Sequence, residues 1–151
     1  LLEWGASVTD GVDQNNSVAS TSYDQTLILN VRNGVKITAL AWDIRNTGDY
    51  VLRHCWSRSR LDSYNSAGIW SGTVAAAGEN TLGLPEPLVL PAGTHYLTLV
   101  RPAGVVTWWD TGLPRYVASD ASFGIGEVSY NGTTAARIAP VKLTYHPGEW
   151  S

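Results

Sequence analysis

Seven of the 151 residues are tryptophan, and these rings are the side chains with most to offer chemically. Trp70, Trp108, Trp109 and Tyr116 are candidate platforms for a sugar ring, whose C–H face stacks on an aromatic while its hydroxyls take hydrogen bonds from neighbours such as Asp110 and Arg115. Trp108 and Trp109 are adjacent, so in a strand they face opposite ways and at least one lies near a surface or another subunit. Trp42 and Trp56 sit inside patterned strands and read as core. Leu2, Trp4 and Trp150 fall in terminal segments without strand pattern. An indole left in water forfeits about 2 kcal/mol, so each needs a covering surface, either the domain's own sandwich or a neighbouring subunit on which it acts as an anchor.

Other reactive residue types give little. His54, His95 and His146 stand singly along the chain, and neither a closely spaced His pair nor a C-x-x-C is present, so no metal centre is expected from them. Ser71 lacks the G-x-S-x-G elbow of an activated serine. The thirteen acids sit mostly in turns, where Asp caps backbone groups, rather than in the paired arrangement of a glycosidase. The chain is therefore read as no enzyme, with no cofactor. Residues 10–16, DGVDQNN, cluster oxygen ligands around Asp10 and Asp13 that could hold Ca²⁺. Their spacing fits no EF-hand, and Asx side chains stabilising their own turn is the favoured reading. Cys55 is the single cysteine, which excludes an intrachain disulfide and reads as a buried thiol beside Trp56.

Composition narrows the partners. A net charge of −3 with no basic run gives a nucleic-acid backbone no electrostatic hold. No apolar run approaches the roughly 20 residues that span a bilayer, so no membrane partner is expected. Charged residues make up 15%, against about 25% in an ordinary domain. The surface is thus polar without charge, as on many extracellular and particle-exposed β proteins, or partly covered by other subunits. The chain lacks Met and begins with Leu, which reads as a start at a cut.

The elements that must position these residues are strands. Residues 88–103, LVLPAGTHYLTLVRPA, give the clearest pattern: an apolar run, a Pro-Ala-Gly turn, then an alternating segment with Leu97 and Leu99 on one face. It reads as a β-hairpin. Residues 26–31 and 35–44 read as strands around an Asn-Gly turn. In the second, Leu40, Trp42 and Ile44 occupy one face and Ile37, Ala39 and Ala41 the other, marking it as central. Further strands are expected over 50–56, 69–75, 82–89, 105–110, 116–123, 125–130 and 140–145. No segment has helical spacing. Many short strands separated by turns predict one all-β domain, 1–151, an antiparallel β-sandwich of the jelly-roll kind, with non-core terminal arms over about 1–22 and 146–151.

The runs GVKITALAWDIRNTGDYVLRHCWS (34–57) and PEPLVLPAGTHYLTLVRPAG (85–104) resemble a family of extracellular and phage-associated β-sandwich domains of unassigned function, themselves similar to carbohydrate-binding modules. The likeness covers about half the chain and implies architecture more than activity. Two readings follow. One is a structural module of a virion, a bacteriophage capsid decoration or tail subunit that assembles with itself or with a shell or tail protein. The other is a carbohydrate-binding module of a secreted or cell-surface protein, facing a surface glycan. The virion reading is narrowly preferred on the few charges, the aromatic termini and the absent chemistry.

Overall fold

The computed structural model describes residues 2–12, 18–55, 68–111, 117–118, 122–135 and 137–150. Among these the regular elements are all strands: β1 (Leu2–Trp4), β2 (Val8–Gly11), β3 (Val18–Ser22), β4 (Asp24–Val31), β5 (Val35–Ile44), β6 (Gly48–Cys55), β7 (Gly68–Val74) and β8 (Gly78–Leu90). They continue as β9 (Gly93–Val100), β10 (Val106–Asp110), β11 (Val117–Ala118), β12 (Phe123–Ile125), β13 (Ser129–Tyr130), β14 (Thr133–Thr134) and β15 (Val141–Trp150). One sheet runs β1-β15-β5-β8, with β2 also on β15. The larger runs β11-β12-β4-β9-β6-β7, with β13 on β4 and β14 on β13. Strands β10 and β3 pair apart.

The two large sheets close on a single core. From β5, Val35, Ile37, Leu40, Trp42 and Ile44 are fully buried, and from the facing sheet so are Leu27, Leu29, Leu52, Leu97 and Leu99. Side chains cross between the layers: Trp42 Nε1 on β5 donates to Gln25 Oε1 on β4 at 2.8 Å, and the rings of Phe123 on β12 and Tyr145 on β15 meet edge to face at 4.9 Å. Gln25, itself buried, keeps its amide satisfied by donating to Trp109 O at 2.7 Å and to Tyr130 Oη at 3.0 Å. Tyr130 in turn donates to Asp110 Oδ2 at 2.9 Å. Buried polar links of this kind fix the sheets' relative position.

The antiparallel sandwich is as expected, but its connections differ. Strands β8 and β9 do not form a hairpin: β8 pairs with β5, whereas β9 pairs with β4 and β6. The Pro91-Ala92 turn, with Gly93 at φ 138°, carries the chain from one sheet to the other. The physical reason is that Leu88 and Leu90, like Leu97 and Leu99, need a core on one side, and arching over it lets both strands bury those faces against each other's sheet. Pairs β3 with β10, β4 with β9, β5 with β8 and β6 with β7 nest within one another, as in the winding of a jelly roll. The jelly-roll sheet order is incomplete, since β15 rather than β10 lies beside β5.

Two further expectations change. A register shift between Ile37 and Ala39 puts Ile37 on the same inner face as Leu40 and Trp42, because the extra residue Thr38 resets the alternation. The terminal segments, expected as non-core arms, carry strands. Strands β1 and β2 both pair with β15, β3 pairs with β10, and Val12 is buried in the core.

Candidate functional site

Opposite Thr38 the edge strand β8 carries its own excursion. Leu88 pairs with Ile37 and Gly83 with Ala39, so residues 84–87, Leu-Pro-Glu-Pro, stand outside the ladder. Proline has no N–H to give a ladder and is tolerated at an edge or bulge; Pro85 and Pro87 sit at both. This excursion meets β7, the edge of the other sheet. Between them lies a hollow of about 360 Å³ lined by Val51, Gly68, Ile69, Trp70, Ser71 and Pro85. A second, of about 380 Å³, shares Gly68, Ile69 and Pro85 and continues along Glu86, Pro87 and Leu88.

Trp70 is held there by its neighbours. It is paired with core residue Leu52 across β6 and β7, and its ring lies over Gly72, where an added Cβ would come within 2.6 Å of Trp70 Cζ2. Glycine at 72 therefore lets the indole lie flat on the strand, partly buried and partly facing the hollow. Ser71 faces the opposite side of β7, and Glu86, exposed on the excursion, lines the adjoining hollow. An apolar ring facing one hollow, with a carboxylate along the next, offers a face on which a sugar can stack and an acceptor for its hydroxyls.

The other expected platforms do not join it. Trp108 is fully buried, packs edge to face on Tyr50 at 5.8 Å, and donates from Nε1 to Ser22 O at 3.2 Å. It is core and offers no face to a ligand, because β10 turns it inward against β6. Its neighbour Trp109 points the other way and is partly exposed, with the Arg45 guanidinium 4.6 Å from its ring centre. It lies on the separate β3-β10 sheet. Tyr116, Asp13 and Trp56 lie outside the described residues. Asp10 lies in strand β2, and its Oδ1 accepts from Gly11 N at 2.8 Å. Among the described residues no group of three or more His, Cys, Asp or Glu side chains converges on a metal position.

The terminal residues come together. Leu2 stands opposite Trp150, and Trp4 opposite Gly148, on the paired ends of β1 and β15. The side chains of Leu2 and Trp150 are outside the described set. Trp4 is partly buried, with Lys36 Nζ 5.5 Å from its ring centre.

Sequence reasoning missed one cluster. His54 and His95, 41 residues apart, meet with Nε2 of the first 3.2 Å from Nδ1 of the second, and His95 Nε2 lies 2.8 Å from Pro91 O. The carbonyl can only accept, so His95 carries its proton on Nε2 and its Nδ1 accepts from His54 Nε2–H. Burial, followed by the field of His95, pushes the His54 pKa down. The signal in sequence was faint: both residues occupy core-facing positions of strands that pair only in the fold.

No family model and no curated protein matches the chain. Solved structures do. A clostridial cysteine protease, Cwp84, after propeptide cleavage is similar over 93% of this chain and 40% of its own, with a TM-score of 0.62 and 12% identity. A structure of the cysteine protease and lectin-like domains of Cwp84, described as a surface-layer-associated protein of Clostridium difficile, is similar over 87% of this chain and 36% of its own, with a TM-score of 0.55 and 12% identity. The chain thus spans well under half the length of these structures. At such identity the likeness shows a shared fold.

Proposed function

We propose that this chain is a non-catalytic carbohydrate-binding module of an extracellular or cell-surface protein, and that its glycan lies along the β7 edge against Trp70. The observation that carries this reading is the placement of Trp70 on Gly72, facing a hollow that is continued by the Pro85-Glu86-Pro87 excursion with its exposed carboxylate. The lectin-like domains named for one structural neighbour support the same choice. Neither neighbour is described as part of a virus particle, so the glycan reading takes precedence over a capsid or tail role.

Glycan-array screening followed by calorimetric titration of the best hit tests it. Trp70→Ala should weaken binding at least about tenfold, the loss of an aromatic stacking contact together with its buried area. Glu86→Gln changes an exposed carboxylate and should lower affinity with the melting temperature unchanged. Unaltered affinity in both variants would remove the site.

A further inference from the structure

The two hollows beside Trp70 are parts of one groove. Both are lined by Gly68, Ile69 and Pro85, and from that waist the first extends to Trp70 and Ser71 while the second extends to Glu86 and Leu88. Chain order fixes how the halves line up. Strands β7 and β8 are consecutive and end different sheets, so they lie close where Val74 connects to Gly78. They are close again where Gly68 and Pro85 line the same hollow. The two strands therefore run antiparallel past each other, and moving back along β7 leads the same way as moving forward along β8. The stretch from Ser71 to Gly68 and the stretch from Pro85 to Leu88 follow one another in a line, up to about 20 Å at roughly 3.3 Å per residue.

Length and straightness decide what this groove accepts. It outruns a single six-membered ring several times, and it follows two strand edges. Sugar rings joined β-1,4 form an extended ribbon that presents its C–H faces, whereas α-1,4 links curl the chain away from a line. The ribbon suits the apolar run of Trp70, Ile69, Pro85 and Leu88, with the exposed Glu86 carboxylate as an acceptor for hydroxyls. Gly68 supplies a further requirement at the waist. It is not one of the glycines with positive φ, so its backbone would suit any residue, and what sets it apart is lack of bulk. A Cβ there would come 3.2 Å from Cγ1 of Val51, which itself lines the first hollow. The absent side chain leaves the passage between the halves clear.

We infer that the Trp70 edge is a chain-binding groove that takes consecutive units of an extended β-1,4-linked saccharide, one ring on Trp70 and the next across Ile69 and Pro85 toward Leu88. This rests on the carbohydrate-binding reading above and adds to it the linkage class and a need for more than one unit. Each further ring that reaches the second hollow adds contact area, while the translational and rotational freedom of the ligand is lost only once. Affinity therefore climbs with chain length until the groove is filled.

The test is calorimetric titration of the whole chain with cello-oligosaccharides and N-acetylchito-oligosaccharides of increasing length, and with malto-oligosaccharides of the same lengths. In at least one β-1,4 series the affinity should rise at least about tenfold from monosaccharide to tetrasaccharide, and that tetrasaccharide should bind more tightly than maltotetraose. In NMR it should move the amides of both Trp70 and Leu88. Gly68→Leu, a change at an exposed position, should bring tetrasaccharide affinity down toward that of the shorter sugars with the melting temperature little changed. Affinity independent of length, a preference for the malto series, or undiminished tetrasaccharide binding by a folded Gly68→Leu variant would overturn the inference. If neither β-1,4 series binds while another glycan still loses affinity in Trp70→Ala, this inference alone fails; if no glycan binds at this edge, the carbohydrate-binding reading fails with it.

Discussion

The adjacent Trp108 and Trp109 show how much a single residue's environment decides. Alternation along β10 dictates that they face opposite ways, and this was legible in the sequence. Which one faces inward was not, because that depends on Tyr50 and Ser22, which only the fold brings near. Trp108→Ala should destabilise the domain by about 3–5 kcal/mol through the cavity it leaves, read as a large drop in denaturant midpoint, with glycan binding unchanged at temperatures where the variant is folded. The His54–His95 contact was illegible for the same reason. Its consequence is a pH dependence. The His54 pKa is lowered below 6.5 in the fold, so as pH falls through 6.5 the unfolded chain takes up a proton that the folded one resists. Stability should therefore decline from pH 6.5 down to the folded-state pKa and then level off. Thermal melts across that range should show the decline in wild type and its loss in His54→Gln; a wild-type curve unaffected by His54→Gln would contradict the assignment.

At the scale of elements, period-two alternation located most of the strands, since β4, β5, β9 and β15 each bury one row of side chains in the core. It could not tell a hairpin from an arch. Both place a turn between two alternating runs, and the choice depends on which sheet each run joins. Nor could it foresee that Thr38 would reset the phase of β5 while four residues of β8 left the ladder opposite it. That mismatch is what builds the rim of the Trp70 hollow, with the two prolines confined to the one place where missing donors cost nothing. Gly72 is the complementary requirement on β7. Gly72→Ala would place a methyl 2.6 Å from the indole, so Trp70 must swing off the strand. The expected result is glycan affinity reduced nearly as far as in Trp70→Ala although the tryptophan is retained. Undiminished affinity would mean that the flat seating of the ring is unimportant.

For the whole molecule, the nested pairs bring both ends of the chain to one edge, where β1 pairs with the end of β15. The expected docking of Leu2, Trp4 and Trp150 on a neighbouring subunit remains a separate proposal. Removing residues 1–4 should preserve the fold, because β15 keeps β2 and β5 as partners, and should convert any self-association to monomer in sedimentation. A wild-type chain that is already monomeric would end that proposal. The central claim, that the β7 edge is a glycan-binding surface, is tested most directly by mapping amide shifts in wild-type protein titrated with the strongest glycan from an array. The account predicts that the perturbed residues cluster at Gly68, Ile69, Trp70, Ser71, Glu86 and Leu88. Perturbations confined to other surfaces, or an array on which no glycan is retained, would contradict it.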